Sequence, residues 1–460
     1  MFNRRDAPVA GVDTSLKREL GLFELTATGV GVILGAGIYV IIGKAAGLAG
    51  SAIWIPFLLG ALAASLTGLS YAELSSMFPK SAASFEFTRR AFGLRVAFVV
   101  GWLMLLSHII SSAAVALGFG GYLSSFIGFP IVPMAVGLIV VSSFVLIMGI
   151  KQTVWIGVLF TAFEIGGLLL VIFVSTRFIG TVSYLEMPEG IFGLFKATTL
   201  LFFAYLGFEQ VANLGEEVRN AKKTVPMAIL LAIGITSAFY IAISVASVSA
   251  LDWRELSQSD APLADVVQAA TGAKTSFVIG IIALFATANT VLFLLLTSTR
   301  TMYGMSNSNT LPKLLAIVHP RRKTPWVATL VAAVVASSFA LLGDIAVVAQ
   351  LSNFAVLVAF VMVNASLIWL RRTKPEIERG FRAPLNVGNL PITAVLGIGF
   401  SLSMLANVAI AALLVGLVVA AAGILLPLVL PDFGKDPEDV GGTKVGIAAE
   451  ATTGPAKYDA

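Results

Sequence analysis

The sequence predicts an all-α polytopic membrane protein with about 12 transmembrane helices. Three observations predict it. Of 460 residues, 58% are hydrophobic and 12% are charged, against about 45–50% and about 25% in soluble domains. Apolar segments of about 20 residues, the length a bilayer core requires, recur along the whole chain. The basic residues fall almost entirely on alternate loops. With a mean hydropathy of +0.94, too little polar surface remains to cover a globule in water, and no internal stretch is polar enough to be a soluble domain.

In order, the spans read as 24–46, 52–77, 95–125, 131–150, 154–178, 196–215, 226–250, 275–303, 325–343, 346–370, 391–408 and 410–430. The last two form one apolar run, divided only around Ala406–Asn407. Three regions follow: an N-terminal arm over 1–23, a transmembrane domain over 24–430, and a tail over 431–460. The tail is rich in Gly, Ala, Thr and charge and is expected to be disordered. The arm carries Arg4, Arg5, Lys17 and Arg18 ahead of the first span. It lacks a small-residue cleavage pattern, so it reads as a retained cytoplasmic arm and not a secretory signal. Within it, Leu16–Phe23 alternates charge with apolar character and is expected to form a short interfacial helix.

With the arm inside, 25 of the 30 basic residues lie on cytoplasmic segments. Only Lys44, Arg177, Lys196, Arg254 and Lys274 lie elsewhere. That is the positive-inside bias. It places both termini in the cytoplasm and the chain in the cell's plasma or inner membrane. The net charge of +5 is then a consequence of topology and not a nucleic-acid footprint.

Several chemistries are absent from the sequence. There is no cysteine, hence no disulfide, thiolate metal site or thiol nucleophile. His108 and His319 are too few for most histidine metal sites. No GxxxxGK[ST], HExxH or GxSxG pattern occurs. Neither an ATP motor nor an enzyme is expected, and no metal or cofactor.

Two spans have chemistry that lipid tolerates poorly. The first contains Gly29, Gly31, Gly35 and Gly37, and each glycine weakens a helix by about 1 kcal/mol relative to alanine. Such a run is either a close-packing surface or a broken helix. The sixth contains Gly207, Glu209, Asn213 and Gly215. These spans are five helices apart, the offset at which internally repeated transporters place their discontinuous helices. Unwound backbone at membrane depth is tolerable only where it lines a cavity or site. Amides at one half-helix end would attract a carboxylate, and carbonyls at the other an ammonium. Together they would hold a zwitterionic amino acid.

Around these spans the chain resembles a known family. Leu16-Lys-Arg-Glu-Leu-Gly-Leu-Phe-Glu-Leu leads into the glycine-rich first span, and Tyr71-Ala-Glu-Leu-Ser-Ser-Met-Phe-Pro closes the second. Arg89-Arg-Ala-Phe-Gly, Phe202 to Pro226 with Glu216-Glu-Val-Arg-Asn, Arg300-Thr-Met-Tyr-Gly-Met-Ser, Leu311-Pro and His319-Pro follow in order. In that order and spacing they resemble the amino acid–polyamine–organocation (APC) superfamily of secondary transporters over nearly all of residues 16–400. The resemblance implies a five-plus-five inverted-repeat fold with two extra helices, working by alternating access. By position it assigns the amides around Gly35, Ala36 and Gly37 to the substrate carboxylate. It assigns the carbonyls of Ile33, Phe203 and Leu206 to the α-ammonium, and makes Phe203 an aromatic lid.

Intramembrane ionisable residues are functional hypotheses by default. Glu164 lies eleven residues after Thr153 and thirteen before Arg177, near the bilayer midplane. A carboxyl group there is suited to gaining and losing a proton during transport; the alternative is a protonated glutamate bonding two helices. Some proton-coupled relatives carry a lysine at this fifth-helix position, and the change to Glu164 leaves protons or sodium as the coupling ion. Thr287, Asn289 and Thr290 on the eighth span are its expected polar neighbours. Glu209, just after the Gly207 break, reads as less buried, either part of a polar network or a solvated cavity residue. His108, among Ser107, Ser111 and Ser112, reads as hydrogen-bonded packing, with a proton role as the alternative. Glu73, Glu216 and Glu217 read as solvated helix ends, with inner ion pairs as the alternative. His319 reads as part of a basic interfacial loop. The expected function is proton symport of neutral, small or apolar L-amino acids across the bilayer. An uncoupled exchanger, a sodium symporter and a non-transporting amino acid sensor are the alternatives.

Overall fold

The computed structural model describes residues 18–259, 262–272, 276–341, 345–406, 410–429 and Phe433. The expected arm and tail fall largely outside these residues, as does Asn407. The described chain is almost entirely helical. Its helices are α1 (Leu22–Ala49), α2 (Trp54–Met77), α3 (Ala83–Phe92), α4 (Leu94–Ile127), α5 (Ile131–Met148), α6 (Ile150–Ser175), α7 (Gly190–Tyr205) and α8 (Phe208–Asn213). There follow α9 (Ala221–Ala250), α10 (Trp253–Gln258), α11 (Pro262–Thr271), α12 (Ser276–Asn307), α13 (Trp326–Ala340), α14 (Ile345–Thr373), α15 (Ile392–Leu405) and α16 (Ile410–Val429). A two-residue hairpin, Asn386–Val387 with Leu390–Pro391, precedes α15.

Among the described residues, eight segments are long and apolar enough to cross a membrane by length and composition. Four shorter apolar helices, Gly190–Phe202, Trp326–Ala340, Ile392–Leu405 and Gly416–Leu425, accompany them. The protein is a polytopic all-α membrane protein, and the sixth span is the one divided in two, into α7 and α8. Three helices are not spans: α3, α10 and α11 have ten, six and ten residues, too short for a 30 Å core at 1.5 Å per residue.

The outer surface is apolar as well as the interior. Large apolar side chains such as Phe173, Phe192 and Val418 are 75%, 76% and 68% exposed, as lipid contact permits. Glu73, Glu164, Glu217, Arg300 and Arg371 are buried instead. Such charges are retained inside only when paired, neutral or functional.

At the centre of the bundle, α1 packs on α6, α7, α9 and α12. Its glycines explain how four helices approach one. A Cβ at Gly31 would overlap Thr161 of α6 and come 2.6 Å from Asn289 Nδ2 of α12. One at Gly29 would lie 2.7 Å from Val211 Cγ2, and one at Gly37 3.0 Å from Ala204 Cα. The close-packing reading therefore holds for these three positions.

Ahead of α1, the expected interfacial helix over Leu16–Phe23 is not what the described part forms. Leu20 instead makes a parallel β-bridge with Val218. Glu19 N and Leu20 N both donate to Glu217 O at 3.0 Å, and Arg219 N donates to Leu20 O at 2.9 Å. Gly21 is extended, and burial of Leu20 to 1% exposure rewards docking over lying at an interface.

Candidate functional site

The two suspect spans are interrupted, each in its own way. In α1 a single residue, Gly35, leaves helical geometry (φ −31°, ψ −155°). A Cβ there would overlap the Thr290 hydroxyl of α12. The second break falls at Leu206–Gly207, between α7 and α8. Gly207 has φ +130°, a conformation other residues rarely adopt, and a Cβ on it would lie 2.6 Å from Val32 Cγ1. The second break thus packs on α1 within the turn before Gly35.

Tyr240, from α9, joins them. Its hydroxyl reaches the carbonyl oxygen of Ile33 on α1 and, at 2.8 Å, that of Ala204 on α7. Its single proton serves one carbonyl at a time, so Tyr240 straddles both broken helices.

A cavity of about 50 Å³ opens beside the breaks. Ile33 and Gly37 of α1, Leu206, His108 of α4, Glu209 of α8 and Thr290 of α12 are among its walls. Ser107, Ser111 and Ser352 form a hydroxyl cluster on one side, with Ser107 Oγ 2.6 Å and Ser111 Oγ 2.8 Å from Ser352 Oγ. Ala36 and Phe203 lie within α1 and α7, but their side chains are outside those described.

Glu164 does not line this cavity. It lies behind α1, fully buried, and neither carboxyl oxygen has a hydrogen-bond partner among the described residues. The Asn289 amide is beside it but donates to Thr161 Oγ1 at 2.9 Å. Tyr39, beyond the α1 break, donates to the Glu164 backbone carbonyl at 3.4 Å. No cation faces the carboxyl group among these contacts.

The sequence profile of the amino acid permease family matches residues 20–429, the whole of this helical bundle. The chain belongs to the amino acid permease family. Among its relatives, the branched-chain amino acid permease BcaP of Bacillus subtilis is 31% identical over 417 residues, 86% of this chain and 89% of the relative. The methylthioribose transporter of the same organism is 31% identical over 410 residues, 84% and 88% of the two chains. The mouse (Mus musculus) cationic amino acid transporter 4 is 29% identical over 391 residues, 79% of this chain and 61% of that longer protein. These relatives are named as transporters and permeases, not enzymes.

In this permease the expected site residues divide. Ile33, Gly37, Leu206, His108, Glu209 and Thr290 meet at the cavity. Glu164 and Asn289 sit together behind it. Thr287 is buried and bonds back to the Ala283 carbonyl of its own helix at 2.8 Å, so it joins neither group. The Ile33 carbonyl, assigned to the ammonium, shares the Tyr240 hydroxyl with the Ala204 carbonyl.

Three carboxylates in the permease differ from expectation. Glu209 is 1% exposed, not solvated, because α8 turns it back to accept the Gly207 N–H at 2.9 Å. Glu73 is fully buried and not a solvated helix end. It accepts from Arg371 Nε at 2.9 Å, Arg379 Nε at 3.1 Å and the Ala383 N–H at 2.7 Å. Glu217 is likewise buried, 2.6 Å from Arg300. Only Glu216 fits the solvated reading, 3.6 Å from the exposed Lys80. His319 Nδ1 accepts the Arg321 and Arg322 amides in its own loop.

Tyr240, Tyr39 and Thr161 were not singled out from the sequence. Thr161 carried a signal, standing three residues before Glu164 and so on the same helix face. Tyr240 carried one too, as a phenol at the middle of an apolar span.

Proposed function

We infer that this permease is a proton-coupled symporter of neutral L-amino acids, small or apolar in side chain, moving them by alternating access. One observation carries the coupling: a buried carboxyl group, Glu164, with the Asn289 amide beside it and no cation facing it, against the broken first helix. A proton is the smallest change that neutralises it. The cavity's mostly apolar lining, with Val32, Ile33, Val115, Leu206, Leu294 and Val356 among its walls, supports an apolar side chain. By the positive-inside bias, both termini belong to the cytoplasmic side of the cell membrane.

The test is uptake into proteoliposomes under an imposed pH gradient. Glu164→Gln should abolish uphill uptake and leave amino acid binding measurable by thermal stabilisation. Gradient-driven uptake unchanged in that variant would overturn the coupling role. Uptake that follows sodium instead, or counterflow alone, would replace symport with protons by sodium symport or exchange. Binding without flux would make the protein a sensor.

A further inference from the structure

One corner of the cavity has no part in that cycle. His108 and Glu209 both line it, and both are all but fully buried. His108 Nε2 lies 3.6 Å from Glu209 Oε1, just beyond hydrogen-bond distance. Neither imidazole nitrogen has a hydrogen-bond partner among the described residues. Glu209 Oε2 is held by the Gly207 N–H, which leaves Oε1 directed at the ring. Buried polar groups are normally satisfied; here both ring nitrogens lack a partner, and Nε2 has Glu209 Oε1 as its near neighbour.

A proton answers this arrangement. Without it, a neutral imidazole beside a carboxylate leaves the wall with one negative charge. With it, the pair is neutral overall and joined by a charge-assisted contact. We propose that His108 and Glu209 form a proton-binding site on the wall of the substrate cavity, separate from Glu164. The proposal rests on the transporter reading for its purpose but not for its chemistry.

The surroundings add little competing charge. Among the described lining residues, His108 and Glu209 are the only ionisable ones. Tyr71 of α2 faces Glu209, and its hydroxyl is 2.8 Å from Ser84 Oγ. On α12, Arg300 is matched by Glu217. On α14, Arg371 is matched by Glu73. Glu164 of α6 is not among the cavity's walls. A substrate entering the cavity meets this pair directly, so its affinity should follow the pair's proton state by linkage.

The chain's two histidines make the site separately observable. In full-length protein labelled with 15N-histidine in micelles, the His108 resonances, identified by their loss in His108→Asn, should titrate. They should change in Glu209→Gln and stay in place in Glu164→Gln. His319 serves as the internal reference, and its unchanged signals, with an unchanged unfolding temperature, report an intact fold. A His108 profile indifferent to Glu209→Gln would overturn the pair, and one shifted equally by Glu164→Gln would overturn its separateness. If pH-gradient uptake fails while the titration behaves as described, the symport reading falls and the proton site stands.

Discussion

Arg300 Nε lies 2.6 Å from Glu217 Oε1, and each side chain is 1% exposed. The pair joins α12 to the turn after α8, where the Leu20–Val218 bridge also attaches the segment ahead of α1. Two broken helices and the eighth span are thereby fastened at one end of the bundle. Removing one member strands a buried charge, which costs about 3–5 kcal/mol. Arg300→Met should therefore lower the unfolding temperature sharply, and Arg300→Met with Glu217→Leu should recover most of the loss. Thermal unfolding in detergent decides it: a single variant as stable as wild type would show that the pair holds nothing together.

Adjacent glycines on α6 make a matched comparison. A Cβ at Gly167 would lie 2.5 Å from Ile282 Cγ2, whereas Gly166 has nothing within 4 Å. Gly167→Ala is expected to destabilise by about 1–3 kcal/mol through overpacking. Gly166→Ala should be neutral or stabilising by up to about 1 kcal/mol. Equal effects would mean that the α6–α12 contact is not tight.

At the second break, Gly207→Ala forces a side chain into a positive-φ conformation that costs about 1–3 kcal/mol, and against Val32. The expected result is a folded protein that amino acids no longer stabilise against heat. Full retention of ligand stabilisation would show that the break is not part of the binding geometry.

Tyr240→Phe removes one hydroxyl and keeps the ring packed between Phe57 and Tyr205. Stability should fall by about 0.5–1.5 kcal/mol, the worth of one hydrogen bond. Uptake should fall more, about tenfold, because about 1.4 kcal/mol on a barrier has that effect and the hydroxyl touches both broken helices. Proteoliposome flux compared with unfolding temperature separates these, and proportionate losses would reduce Tyr240 to packing.

The spans were legible because a bilayer sets a length that the sequence must meet; 131–150 and 410–430 coincide with α5 and α16 to within two residues. The breaks were legible because Gly35 and Gly207 stand in runs that favour no straight helix. What escaped was mostly long-range pairing. Glu73 looked like a solvated end because its partner Arg371 is 298 residues away, and no local pattern announces such a contact. The short helices α3, α10 and α11 escaped for another reason: over six to ten residues, an amphipathic helix and a polar loop have similar compositions. Tyr240 was visible as an oddity, but its role depends on where two other helices end.

The packing of α1 also bears on how the protein is made. The contacts nearest to Gly29, Gly31, Gly35 and Gly37 belong to Thr161, Ala204, Val211, Ala232, Asn289 and Thr290. During synthesis, every one of these emerges from the ribosome more than a hundred residues after the first span has entered the bilayer. Until then that span sits in lipid with a glycine face and nothing to fill it. The earliest helix to insert is thus among the last to acquire its final shape.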